Sequence, residues 1–257
     1  MSGKSRHFYG TNRADPMKNG KLFNLEESQK ALMRSIPRVF ETAEVDCFFS
    51  PEASFFEKIT APACQVKQVH GRAVLDVRSE HVNDLSGSNF SRFEFDGMLT
   101  SRPNLVLTIY SADCLPLLFF DPEKKVVGAI HAGWRGSFLN ISRDMVKKIA
   151  EVYQGDPAHL RVVCGPSIHV CCFEIQNDVA EKFHEKFPQW PDLIRREKGR
   201  QTLDLQALNR RQLMEEGVLE NNIETSDVCT FCSARRLPSY RRDGARAGRI
   251  ISGIRLK

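Results

Sequence analysis

Apolar and polar positions divide this chain into short strands in its middle and helices that follow them. Leu105-Val106-Leu107-Thr108-Ile109-Tyr110, Leu115 to Phe120 and Val126 to Ile130 are brief, β-rich apolar runs bounded by turn residues, which predicts three strands. Asp121-Pro122-Glu123-Lys124-Lys125 separates the last two by a length that suits a hairpin. None of the three runs alternates with polar residues, so their sheet is expected to be covered on both faces. From Ile141 to Tyr153 the period changes: Ile141, Met145, Val146, Ile149, Ala150 and Tyr153 recur at helical spacing, with Arg143, Asp144, Lys147 and Lys148 opposite. Gly155 and Pro157 stop that helix. Leu160 to Cys164 then reads as a buried strand, and Val179 to Phe187 and Leu205 to Glu216 read as helices, the second ended by Gly217.

The flanks are less regular. Residues 1–50 mix turn signals with a short helical candidate at Leu25 to Arg34, and they read as an irregular segment packed on the core. Ser79 to Ser91 is polar and rich in serine and asparagine, which predicts a surface loop. Strands interspersed with helices give an α/β (α+β) architecture with a mixed sheet, read as one domain over residues 1–257 with 1–60 its weaker head.

Composition narrows the class of protein. Hydrophobic residues make up 41% and charged residues 27%, the balance of a folded globular chain rather than a disordered one. No apolar run is long enough to span a bilayer, and no secretory signal follows Met1, so a cytoplasmic protein without a membrane partner is expected. In that reducing compartment the eight cysteines read as small hydrophobes, metal ligands or reactive thiols rather than as disulfides. The net charge of +5 is modest, but six arginines fall between Arg235 and Arg249. They suit a solvated face or an anionic small ligand better than nucleic acid, because no aromatic stripe or binding motif accompanies them.

Candidate chemistry centres on three residues at predicted strand ends: His70, Cys114 and His131. Two imidazoles and a thiolate are the ligand count of a catalytic zinc, whose fourth position stays open. Gly71 and Gly133 beside the histidines let backbone approach a ligand closely. Each histidine can equally be a hydrogen-bonded structural residue. Asp113 is the carboxylate nearest in sequence for proton transfer, or else a turn residue capping local amides. Glu174 is a weaker candidate of the same kind. Arg135, Arg241 and Arg242 offer bidentate donors to phosphate or carboxylate. Cys229-Thr230-Phe231-Cys232 is the one Cys-x-x-Cys pair. Adjacent Cys171 and Cys172 point to opposite sides of an extended backbone, so the pair reads as core thiols near a turn rather than half of a zinc ribbon.

Eight motifs carry a resemblance: Gln68-Val69-His70-Gly71, Asp96-Gly97, Ala112 to Pro116, His131 to Gly136, Gly165-Pro166-Ser167-Ile168, Cys171 to Ile175, Cys229-Thr230 and Ser239-Tyr240-Arg241-Arg242. In this order they are similar to the YfiH/YlmD family, also called the laccase-domain or polyphenol oxidase family, from about Gln68 to the C-terminus. The resemblance implies a layered α/β/β/α sandwich and a zinc held by His70, Cys114 and His131, with copper the alternative that the family label suggests. It implies phosphorolysis of adenosine, inosine and S-methyl-5′-thioadenosine, with adenosine deamination as a second activity. Some relatives look instead like amidases that edit L-serine-containing muropeptide precursors. On this reading Asp113, Cys114 and Arg135 are catalytic, and Gln68, Ser167, Ser239, Arg241 and Arg242 contact a purine nucleoside and phosphate. A monomer and a homodimer are both compatible with it. The chain departs from the pattern at His169-Val170, where Gly-Pro is common, and at Leu237-Pro238, where an aromatic pair is common; both departures are expected at the pocket.

Physical arguments weigh these functions. A multicopper oxidase needs many histidines, and this chain has seven with no His-x-His pair, so laccase chemistry is disfavoured. The deaminase signature His-x-Glu with Pro-Cys-x-x-Cys is absent, so any deamination uses a different scaffold. Phosphorolysis needs phosphate held beside the anomeric carbon, which Arg135 with Arg241 or Arg242 can do.

Overall fold

The computed structural model describes residues 38–40, 44–51, 61–86, 88–234 and 236–257. The helical candidate at Leu25 to Arg34 and Arg235 of the arginine cluster lie outside them. Twelve strands follow in chain order among the described residues: β1 Val45–Ser50, β2 Ala63–Cys64, β3 Val74–Asp76, β4 Gly97–Thr100, β5 Val106–Ser111, β6 Leu115–Asp121, β7 Val126–Ala132, β8 Arg161–Cys164, β9 Ile194–Glu197, β10 Arg200–Leu203, β11 Ile223–Thr225 and β12 Ile250–Leu256. The helices are α1 Val82–Ser86, α2 Trp134–Phe138, α3 Ile141–Tyr153, α4 Asn177–Lys186, α5 Leu205–Glu215 and α6 Tyr240–Asp243. None is long and apolar enough to cross a membrane.

Two mixed sheets and a hairpin organise these elements. A six-stranded sheet runs β11-β8-β6-β7-β4-β3, and a four-stranded sheet runs β1-β12-β5-β2. The predicted β6–β7 hairpin is antiparallel, pairing Leu115 with Ala132 and Asp121 with Val126. Every residue of β6 and β7 is buried, as continuous apolar runs require when both faces are covered. On one face Leu118, Phe120, Val127 and Ala129 meet Leu107, Ile109 and Ile254 of the four-stranded sheet. On the other, Leu117, Phe119 and Ile130 meet Ile141, Met145 and Ile149 of α3. Helices, sheet and sheet thus stack around two apolar layers, the mixed α/β sandwich expected.

Several local expectations are corrected. The run at Leu105 to Tyr110 lies in the four-stranded sheet, not beside β6 and β7, because the chain crosses between sheets at Ala112–Cys114 with Asp113 at φ +82°. Residues 45–50 are not irregular: β1 pairs along its length with β12. The described residues of Ser79 to Ser91 form not a loop but short helical turns at Ser79–His81, Val82–Ser86 and Ser88–Arg92. They bury Leu85, while the polar residues between supply too weak a period to announce a helix. The β9–β10 hairpin carries few apolar residues, and its turn holds Lys198 at φ 50° and Gly199 at φ 78°.

The central hairpin sets the stability of the whole. Leu117→Ala, at a fully buried position facing α3, is expected to lower unfolding free energy by about 2–5 kcal/mol in urea denaturation followed by circular dichroism.

Candidate functional site

Strand register gathers the candidate ligands at one end of the six-stranded sheet. Cys114 immediately precedes β6, and the pairing of Pro116 with His131 sets it beside the last turn of β7. Gly97 pairs with Ile130, so Asp96 lies next to His131, whose amide donates to the Asp96 carbonyl at 2.7 Å. β3 runs parallel to β4, which brings the segment Val69-His70-Gly71 to the same edge. The donor atoms of His70, Cys114 and His131 all lie within 4.8 Å of one another. The two imidazole rings meet edge to face with centroids 4.8 Å apart.

Asp96, named above only within the motif Asp96-Gly97 of the family resemblance, anchors this arrangement. Its carboxylate is fully buried and accepts the backbone amides of Val69 (3.1 Å), His70 (3.0 Å) and Gly71 (2.6 Å). It also accepts Nδ1 of His131 at 2.8 Å. Burial alone would raise the Asp96 pKa, but these hydrogen bonds and His131 outweigh it and hold the carboxyl below its usual range. An ionised Asp96 fixes the proton of His131 on Nδ1 and leaves Nε2 as the nitrogen free to ligate, the carboxylate–histidine arrangement common at metal centres. His70 keeps φ +60° under three consecutive amide bonds to one carboxylate, a conformation that costs a non-glycine residue about 1–3 kcal/mol unless its surroundings impose it.

The electrostatics suit a cation. Burial opposes the thiolate of Cys114, yet His131 and then His70 bring its pKa down to about 6. Burial likewise opposes the imidazolium of His131, yet Cys114 and Asp96 bring its pKa up to about 9. The pair therefore holds a thiolate at neutral pH, and a thiolate with two imidazoles is a donor set for borderline and soft metals. A Cβ at Gly133 would sit 3.0 Å from Sγ of Cys114 and 3.2 Å from Cδ2 of His70. The space between the ligands thus exists because residue 133 has no side chain.

These donors open onto a cavity of about 630 Å³ walled by Tyr110, Trp134, Phe173 and Tyr240, with Arg135, Arg241 and Arg249 on its lining. The Arg135 guanidinium lies 4.5 Å from the Trp134 ring centroid and forms no ion pair among the described residues. Arg241 stacks 5.5 Å from Phe173 and donates to the Glu174 carbonyl at 2.8 Å. Arg249, which sequence reasoning left within a general basic cluster, belongs to the same wall.

The other expected contacts are corrected in part. Gln68 lines the cavity, but its amide bonds both the N–H and the carbonyl of Tyr110, at 2.8 and 2.7 Å, and so splices the loop to β5. Ser167 and Ser239 are fully buried and do not line the cavity. Ser239 caps α6 and donates to Asp113 at 3.1 Å. Arg242 is absent from the lining too, because its guanidinium is spent on the carbonyls of Phe231 and Leu237 and on Asp243. Asp113 accepts Thr230 Oγ1 at 2.6 Å and the Arg241 amide at 2.7 Å besides Ser239, so both of its oxygens are engaged. Glu174 pairs with Arg200 at the surface. His169 and Leu237 do not line the cavity; His169 meets Gln206, and Leu237 is core. The reading of Cys171 and Cys172 as diverging thiols is also overturned. Residues 169–172 form a turn, with the Cys172 amide on the His169 carbonyl at 2.9 Å, and both sulfurs join those of Cys229 and Cys232.

Fold and site together define an α/β protein with a His-Cys-His group that could hold a metal ion, opening onto a cavity of about 630 Å³. The chain belongs to the family described as multi-copper polyphenol oxidoreductase laccase, whose model matches residues 52–257. It is 37% identical over 164 residues to the purine nucleoside phosphorylase YlmD of Bacillus subtilis, a match over 63% of this chain and 59% of that protein. It therefore spans less than two thirds of that relative's length. It is 31% identical to adenosine deaminase RL5 from an unknown prokaryotic organism, over 71% of this chain and 70% of that one. The crystal structure of the hypothetical protein YfiH from Bacillus licheniformis superposes with a TM-score of 0.72 at 31% identity, covering 79% of each chain. The family label speaks of copper oxidation, whereas these curated relatives are named for nucleoside chemistry.

Two outcomes follow for metal binding. Asp96→Asn is expected to weaken cobalt(II) binding roughly 10–100-fold in a spectrophotometric titration while the chain stays folded. Between pH about 6 and about 9 the metal-free pair is thiolate and imidazolium, and ligation requires both in their basic forms. Binding is thus expected to expel one proton from His131 in that window, so affinity rises roughly tenfold per pH unit and levels off above about 9. Calorimetry in buffers of different ionisation enthalpy counts the proton.

Proposed function

We propose that this chain is a zinc-dependent purine nucleoside enzyme. It splits adenosine, inosine and S-methyl-5′-thioadenosine with phosphate and deaminates adenosine as a second activity. The observation that carries the reading is the convergence of His70, Cys114 and His131 on a cavity with aromatic walls and arginines on its lining. The relatives named purine nucleoside phosphorylase and adenosine deaminase support it.

The residues divide the work by chemistry. Aromatic rings such as Trp134, Phe173 and Tyr240 offer flat apolar faces to a purine. Phosphorolysis joins a phosphate oxygen to C1′ of the ribose and breaks the bond from C1′ to the base nitrogen. The arginines hold that phosphate in line, and Arg135, exposed and stacked only on Trp134, is the first choice for the contact. Asp113 acts as a positioning residue: its bonds to Thr230, Ser239 and Arg241 fix the C-terminal wall against the turn that carries Cys114. His70, Cys114 and His131 would hold the zinc, which when bound would supply Lewis-acid stabilisation of negative charge on an oxygen. Among the described residues two histidines stand in the group, which is too few for the several coppers of a laccase.

Purified, metal-analysed protein is to be incubated with a nucleoside panel with and without phosphate, and the products separated by chromatography. Free base and a ribose phosphate are expected only with phosphate, and inosine is expected from adenosine without it. Absence of both defeats the proposal, and L-serine release from a muramyl-serine precursor would assign the amidase activity instead. Arg135→Ala is expected to raise KM for phosphate roughly tenfold or more, the loss of one charge-assisted hydrogen bond.

A further inference from the structure

Four cysteines from two distant segments converge apart from the His70 group. Cys171 and Cys172 lie in the turn after β8, and Cys229 and Cys232 in the loop after β11. All four sulfurs lie within 4.8 Å of one another, and Sγ of Cys171 is 3.8 Å from Sγ of Cys232. All four are free thiols. A tetrahedral ion with metal–sulfur bonds of ~2.3 Å sets its ligands ~3.8 Å apart, so the spacing is that of an edge of such a tetrahedron. A multi-iron cluster spreads its thiolates over several irons, and the compactness here suits a single ion.

The backbone around the group is built for thiolates. The His169 amide donates to Sγ of Cys229 at 3.4 Å, and the amides of Phe231 and Cys232 donate to the same sulfur. That is a Cys-x-x-Cys loop folded back so that its N–H groups stabilise negative charge on the first sulfur. Four thiolates this close repel one another, and a divalent cation removes that repulsion.

The position of the group gives it a structural task. The segments it joins carry much of the cavity wall, Ile168 and Phe173 on one and Tyr240 and Arg241 on the other. Between β8 and α4, and between β11 and α6, the described residues form no helix or strand. One backbone bridge, Ser167 with Cys229, and the bond from the Thr230 amide to the Ser167 carbonyl pin the two segments together. Thr230, next to Cys229, is also one of the residues that donate to Asp113.

We propose that Cys171, Cys172, Cys229 and Cys232 form a tetrathiolate site for a single zinc ion, separate from the His70-Cys114-His131 group, and that this ion clamps the two segments of the cavity wall. The site is independent of which reaction the cavity hosts.

Cadmium-113 NMR of the full wild-type chain loaded with cadmium tests it without any substitution. A resonance in the four-sulfur region is expected, and its absence overturns the proposal. Metal counting on zinc-loaded protein adds the assignment: Cys171→Ser with Cys232→Ser is expected to lose one equivalent per chain and the four-sulfur resonance. Cys114→Ala is expected to keep both that equivalent and the resonance. A four-sulfur resonance that survives the double serine variant, or a Cys171–Cys232 disulfide found by mass spectrometry in protein purified anaerobically with zinc, overturns it as well.

Discussion

One buried carboxylate carries much of this architecture. A charge removed from water costs several kcal/mol unless it is met by hydrogen bonds or an opposite charge. Asp96 is met by three consecutive amides and an imidazole. Satisfying it forces residues 69–71 to wrap around one point, sets His70 at φ +60° and fixes the tautomer of His131. Two of the three candidate ligands are thus placed by the same electrostatic demand. The third, Cys114, is placed by strand register and by the anchored turn at Asp113.

A second carboxylate does for the cavity wall what Asp96 does for the ligands. Asp113 sits at φ +82° where the chain leaves the four-stranded sheet for the six-stranded one. Its side chain takes donors from Thr230, Ser239 and Arg241, residues more than a hundred positions away. Its backbone carbonyl takes the Ile168 amide at 2.9 Å. The strain of its conformation is therefore offset by bonds that only the folded chain can offer. The crossing between sheets, the candidate ligand Cys114 and the C-terminal wall are held as one unit.

The serines and arginines show how side-chain chemistry misleads without geometry. Ser239 and Arg242 have the groups to bind phosphate, but the N-terminus of α6 and the carbonyls of the loop before it consume them. Gln68 has a free-looking amide in the sequence, yet in the fold it completes the hydrogen bonding of Tyr110. Arg135 and Arg249 keep their place on the lining.

Much of the fold was legible in the chain because burial writes itself locally. Continuous apolar runs at 115–120 and 126–130 announced strands covered on both faces, and the helical spacing of Ile141 to Tyr153 announced α3 with the bounds it has in the fold. The candidate ligands were legible by type, and Cys114 and His131 also by their places at strand ends, whereas His70 lies in the loop between β2 and β3. The sorting of β5 into the other sheet, the role of Asp96 and the approach of Cys171 and Cys172 to Cys229 and Cys232 were not. Sequence by itself determined which segments must be buried and which side chains can carry charge or metal, since those depend on residue type and local period. Only the tertiary structure decided which of those side chains meet, because a buried carboxylate, a positive φ and a ring of sulfurs are each stabilised by partners far away in the chain.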